Sequence, residues 1–235
     1  MKIIAHRGGA TAQMLENSLG SIINSAQMGA DLVECDVTKL KDGAYVIFHD
    51  KTLLRLTGND VKTRDLTLQE ISDKLNYCGK SIATLQQLLS SYNSLVPILL
   101  HFKMKTIDDD LLEILKGAEV PLFFGAVSID VVKSLRKYFP SEKILAFIPS
   151  ETDYKDFILA GAGNIRLWET WLGDIVPEDI KKDYNVEVWV MAKDTNKSNR
   201  GSKATLDLCY ELCADAVIMD DVELASHWKF GRLDN

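Results

Sequence analysis

The stretch PILLHF, residues 97–102, is apolar on both faces of an extended chain, with His101 as its one polar residue. PLFFGAV at 121–127 and DAVIM at 215–219 read the same way. Strands covered by helices on both sides of a parallel sheet have this character. Working outward from them, β-rich runs fall near 2–5, 31–37, 44–48, 97–102, 121–127, 143–148, 163–168, 186–191 and 216–219. Helical stretches lie between, near 17–29, 67–74, 84–92, 107–117, 129–138, 153–161, 177–183, 201–214 and 221–229. Setting aside 44–48 leaves eight strands, most of them followed by a helix. That alternation predicts an α/β fold, a closed (β/α)8 TIM-type barrel, with a doubly wound open sheet as the alternative. The rhythm breaks between His49 and Pro97, where LTGNDVKTRD and short helices replace a core strand. This reads as a small insertion after the second strand, at about 51–90, within a single domain spanning 1–235.

The totals narrow the partners. The chain is 46% hydrophobic and 26% charged, which is enough apolar surface for a sizeable core. A formal charge of -7 weighs against a nucleic-acid partner, although a local site can still be basic. No signal peptide and no membrane span are visible, so a cytoplasmic location is expected. Cys35, Cys78, Cys209 and Cys213 form no Cys-x-x-Cys pair and read as reduced, mostly buried thiols. Oligomeric state has no signature in the sequence.

Chemistry gathers at strand ends. In IIAHRGGA, residues 3–10, a short apolar strand runs into His6 and Arg7. His49 ends AYVIFHD and His101 ends PILLHF, so three of four histidines sit where barrel enzymes build their sites. His227, in the last helix, reads as structural. In ADLVECDV, residues 30–37, Glu34 and Asp36 share one strand face while Val33, Cys35 and Val37 take the other. Two crowded carboxylates sit at an exposed strand end, pair with Lys or Arg, or hold a hard cation such as Mg²⁺ or Ca²⁺, and the apolar neighbours favour the cation. His101 and Lys103 share a face in the same way. Imidazoles with pKa values of about 6.5 can exchange protons near neutrality. One would take a proton from an attacking oxygen while the other gives one to a leaving oxygen. The cations would neutralise a phosphoryl group. The set suits phosphodiester cleavage better than glycoside hydrolysis.

The run HRGGATAQMLENSLGSIINSAQMGADLVECDVTKLKDGAYVIFHDKTLLRLT, with the later ADAVIMDD, resembles the glycerophosphodiester phosphodiesterase family. The ordered set His-Arg-Gly, Glu-Asn-Ser, Gly-Ala-Asp, Glu-x-Asp-Val, Lys-Asp-Gly and His-Asp carries the likeness, with Ser18 where the family has Thr. The resemblance implies a (β/α)8 barrel with an insertion that IATLQQLL, residues 82–89, would close. It implies His6 and His49 as the acid–base pair, Glu34 and Asp36 as metal ligands, and Arg7 and Lys103 on the phosphate. Glu16 is expected near the site, and Trp189 is expected to line the glycerol end. The implied reaction releases an alcohol and glycerol 3-phosphate from a glycerophosphodiester. The attacker is either water or the glycerol's own neighbouring hydroxyl.

Two departures stand out. The family has Glu-x-Lys where this chain has His101-Phe102-Lys103, so the third metal ligand is expected to be an imidazole. The expected ion is Mg²⁺ or Ca²⁺, with Mn²⁺ or Zn²⁺ relatively favoured by His101. The segment Trp189-Val190-Met191-Ala192 replaces the family's Trp-Thr-Val-Asn, and a polar loop, KDTNKSNRGSK, follows at 193–203. The alternative reading is a catalytically weakened member of the same barrel family that binds phosphate esters. A related reaction on phospholipid head groups is less favoured, for want of an apolar anchor.

Overall fold

A computed structural model describes residues 1–9, 14–193 and 198–233. Strands are β1 (Lys2–Ala5), β2 (Leu32–Lys39), β3 (Tyr45–Ile47), β4 (Ile98–Phe102), β5 (Leu122–Ala126), β6 (Ile144–Ala146), β7 (Asn164–Trp168), β8 (Glu187–Met191) and β9 (Ala216–Met219). The helices are α1 (Leu19–Gln27), α2 (Leu54–Thr57), α3 (Leu68–Tyr77), α4 (Leu85–Ser91), α5 (Asp109–Lys116), α6 (Ile129–Arg136), α7 (Tyr154–Ala160), α8 (Pro177–Asp183), α9 (Lys203–Glu211) and α10 (Val222–Leu233).

The sheet runs in the order β1-β9-β8-β7-β6-β5-β4-β2-β3, and a β1–β2 pairing closes it. Every pairing is parallel except β2 with β3. Eight parallel strands therefore form a TIM-type barrel, as the alternation predicts, and β3 pairs antiparallel with the end of β2 at Val37–Lys39, past the β1–β2 contact. Closure explains the doubly apolar strands. Ile3, Val33, Cys35, Leu100, Phe102 and Val217 pack outward beneath the helices. Ile4, Leu32, Leu99, Leu145, Trp189 and Ile218 fill the interior. Burying one such side chain stabilises by about 1.5–3 kcal/mol.

Helix starts are set locally. Ser18, Thr67, Thr84 and Ser202 each open a helix with a side-chain oxygen accepting a backbone N–H three residues on. Residues 51–90 carry α2, α3 and most of α4. Leu53, Leu66, Ile71 and Leu75 form a separate apolar cluster there with Leu40, Val46 and Phe48. No described helix is long and apolar enough to cross a membrane.

Candidate active site

Following the register around the barrel, with the stagger that closure imposes, inward side chains fall into layers of four. Ile4, Leu99, Leu145 and Trp189 form one layer. Glu34, Gly125, Arg166 and Ile218 lie above it. Next come His6, His101, Phe147 and Met191, and then Asp36, Val127, Trp168 and Asp220 at the mouth. Polar chemistry therefore begins at the second of these layers and belongs to the carboxyl ends of the strands.

His6 and Arg7 sit in a tight turn that ends β1. Arg7 adopts the left-handed conformation, φ 49°, which a non-glycine residue holds only when its surroundings require it. Here its backbone N–H donates to Glu34 Oε2 at 2.7 Å, and its guanidinium reaches across the mouth to His49 Nε2 at 2.7 Å. Gly8 follows at φ 76°, where an added Cβ would lie 2.6 Å from Ser21 Oγ, so α1 packs directly against this turn. Asn17 is also left-handed, φ 56°. Its amide donates to Asp36 Oδ2 at 2.9 Å and its carbonyl accepts from the Asp36 N–H at 3.0 Å.

Glu34, Asp36 and His101 converge, with one ligand atom from each lying within 4.8 Å of the others. All three are buried. His101 Nδ1 is 3.2 Å from both Glu34 Oε1 and Asp36 Oδ1. Lys103 Nζ is 3.4 Å from Asp36 Oδ1, and Arg7 Nε is 3.6 Å from Asp36 Oδ2. Burial pushes Asp36 up, but His101, Lys103 and His49 outweigh it and hold the carboxyl well below its ordinary value. These ion pairs are imperfectly aligned. Asp36 Oδ1, His101 Nε2 and Arg7 Nε are all buried without a hydrogen bond. Two carboxylates and an imidazole with unmet polar atoms fit a divalent ion.

The two imidazoles are prepared differently. A guanidinium only donates, so Arg7 Nη2 occupies a lone pair on His49 Nε2, and the ring proton lies on Nδ1. That proton is donated to Asp50 Oδ1 at 2.7 Å. Burial pushes Asp50 up, but His49 and Arg55 bring its carboxyl down to about 2, so it stays ionised. His6 Nδ1 donates to Asp220 Oδ1 at 2.7 Å. Burial pushes His6 down, yet the Asp220 hydrogen bond and the Glu34 charge raise its pKa above the ordinary value. His49 therefore holds an unprotonated Nε2 capped by Arg7, whereas the surroundings of His6 favour the protonated form.

The structure brings His6, Arg7, Glu34, Asp36, His49, His101 and Lys103 to one mouth. Glu16 is there too, accepting from Arg7 Nη1 at 3.2 Å and from Arg55. Trp189 is not, and its expected place at the glycerol end is corrected. It points inward but lies two layers too deep, fully buried, with Nε1 donating to Glu187 Oε2 at 2.9 Å towards the opposite end of the barrel. Met191, two residues on, occupies the layer of His6 and His101. Asn17, Asp50, Arg55 and Asp220 were missed. Asn17 and Asp50 adjoin recognised residues, and Asp220 begins the quoted Asp-Asp pair. Residues 194–197 of the polar loop lie outside the described residues.

The model of the "Glycerophosphoryl diester phosphodiesterase family" matches residues 6–138, more than half of the chain. The chain belongs to this family. Among curated proteins, it is 28% identical over 151 residues to a glycerophosphodiester phosphodiesterase of Caldanaerobacter subterraneus, covering 61% of this chain and 56% of that one. It is 33% identical over 111 residues to YhdW of Bacillus subtilis, covering 44% and 45%. The chain spans about half the length of these curated relatives in the matches. Among solved structures of the family, the glycerophosphodiester phosphodiesterase of Thermotoga maritima superposes with a TM-score of 0.75 at 25% identity, covering 98% of this chain and 97% of that one. An Oleispira antarctica phosphodiesterase, solved with the product sn-glycerol-3-phosphate, shares the fold with a TM-score of 0.72 at 22% identity over 100% and 97% of the two chains.

Proposed function

We propose that the chain is a metal-dependent phosphodiesterase that splits glycerophosphodiesters into an alcohol and glycerol 3-phosphate. The whole of 1–235 is read as one catalytic domain with 51–90 inserted. Family membership and the name of the product found with the Oleispira protein support the substrate class. One observation carries the mechanism: two imidazoles of opposite readiness beside a buried Glu34–Asp36–His101 cluster.

Glu34, Asp36 and His101 would hold the ion. Mg²⁺ or Ca²⁺ fits the two carboxylates, and His101 widens the choice towards Mn²⁺ or Zn²⁺. When bound, the ion supplies a positive charge that polarises the phosphoryl group. His101 Nδ1 faces Glu34 Oε1 at 3.2 Å, and any proton on that nitrogen must leave it if it is to become a ligand. Arg7 and Lys103 compensate the phosphate charge, and a diester drawing Arg7 onto its oxygens frees His49 Nε2. That nitrogen takes the proton of the attacking oxygen as the new P–O bond forms. The bond from phosphorus to the alcohol oxygen breaks, and His6 Nε2–H protonates that oxygen. Asp50 and Asp220 keep each ring oriented and stabilise its charged form.

The test is release of glycerol 3-phosphate from glycerophosphocholine or glycerophosphoethanolamine by purified protein with Mg²⁺, Ca²⁺, Mn²⁺ or Zn²⁺. Metal-dependent turnover is expected, with His49→Ala or His6→Ala each costing about 10²–10⁴-fold. Turnover unaffected by both substitutions would refute the assignment, as would none with any of the four ions.

A further inference from the structure

On the β6–β8 side of the mouth, two cations have no anion among the described residues. Arg166 points into the barrel from β7 and is 5% exposed. Its Nη2 donates to the Ile148 carbonyl at 3.1 Å. Its Nε and Nη1 are buried with no hydrogen-bond partner. The guanidinium carbon lies 4.3 Å from the centre of the Trp168 ring and 5.5 Å from those of Phe147 and Trp171. Lys193 Nζ lies 4.2 Å from the same Trp168 ring. Among the described residues, no carboxylate is within ion-pair distance of either cation. Glu169, in the turn after β7, directs its Oε2 at the Lys193 backbone N–H instead, at 2.9 Å.

A buried cation without a counter-charge is costly, and aromatic faces replace lost water only in part. Burial pushes the Arg166 guanidinium down to about 9. The fold thus keeps a desolvated fork of N–H donors beside the mouth, with the half-buried Trp168 and Lys193 next to it. It is separate from the ligand cluster, because the Phe147 ring stacks on His101 at 3.6 Å with 9° between the planes and also faces Arg166.

We propose that Arg166 and Lys193 form a subsite for an anionic group, carboxylate or phosphate, carried by the alcohol of the diester. The assignment rests on the phosphodiesterase reading for the molecule bound. The scissile phosphate already has Arg7 and Lys103, and glycerol carries no charge, so the alcohol is the remaining part that can bring an anion. Trp168 would otherwise suit a quaternary ammonium, but two cations already lie against its ring, so cationic head groups are disfavoured there.

Three glycerophosphodiesters test this, with two-carbon alcohols ending in a carboxylate, a hydroxyl or an ammonium. Affinities are measured by calorimetry with Mn²⁺ on the full chain carrying His49→Ala, which slows turnover by about 10²–10⁴-fold. The carboxylate diester is expected to bind at least about tenfold tighter than the ammonium diester. Lys193→Met should cut that preference, Arg166→Met should abolish it, and Arg166→Lys should retain part of it. Equal affinities for the three diesters would overturn the subsite, as would no measurable binding. So would a preference unchanged in Lys193→Met, a change near the surface that keeps the test open if Arg166→Met does not fold. Failure of the unsubstituted chain to turn over any diester, with the binding order intact, would strike the phosphodiesterase reading alone. Turnover with a flat binding order would strike the subsite alone.

Discussion

Replacing Asp220 with Asn probes the acid half of the site. The amide keeps the size of the carboxylate and can still accept from His6 Nδ1, but its charge is gone. The bond at stake is 2.7 Å long and its imidazole is almost fully buried. A hydrogen bond to a charged group contributes about 1.5–3 kcal/mol and a neutral one about 0.5–1.5, so Asp220→Asn removes about 1–2 kcal/mol from the imidazolium. That corresponds to a loss of about 5- to 30-fold in kcat/KM where His6 must be protonated. The direction in pH is fixed as well. Asp220 helps to raise His6, so its loss lowers the pKa and moves the alkaline limb of the kcat/KM profile to lower pH. Stability follows the same sign. The protonated, Asp220-paired ring favours the folded chain fully below histidine's ordinary value, and this contribution fades as pH rises through the raised one. The assay is a pH–rate profile at saturating metal, paired with denaturant unfolding across the same range. An alkaline limb unmoved by Asp220→Asn would refute His6 as the proton donor.

Further substitutions separate metal choice, barrel core and acid stability. His101→Glu puts a third carboxylate in the ligand cluster and should raise the Mg²⁺-over-Zn²⁺ affinity ratio by roughly tenfold or more, read by competitive calorimetry. Trp189→Phe should lower unfolding free energy by about 1–3 kcal/mol, through the lost Glu187 bond and the small void, while leaving KM for the diester unchanged. At Asp108, burial pushes the carboxyl up, but Lys39 and Tyr45 bring it down to about 2. Its contribution is present above the ordinary value of 3.8 and is lost as pH falls towards 2, so Asp108→Asn should flatten acid unfolding over that window.

Parity along strands made most of the fold and site readable. In PILLHF the alternation says which residues enter the barrel, and the same rule puts Glu34 and Asp36 together. Height within the barrel is a different matter, because it depends on the stagger of strands far apart in sequence. Trp189 illustrates this: its inward face was legible, but its depth required the β8–β9 register, which pairs it with Ala216. Arg166 shows a second limit. NIRLW, residues 164–168, shows an inward arginine, but that its guanidinium meets aromatic rings and no carboxylate depends on Phe147, Trp171 and the surrounding loops. Partners such as Asp220, from the last strand end, are equally non-local.

Pulsed electron paramagnetic resonance of the protein titrated with Mn²⁺ addresses the centre itself. The expected result is one ion per chain showing coupling to a single histidine nitrogen, with that coupling lost in His101→Ala and the ion lost in Asp36→Ala. Absence of bound Mn²⁺, or Mn²⁺ whose signal is the same with and without His101, would contradict a metal centre built from Glu34, Asp36 and His101.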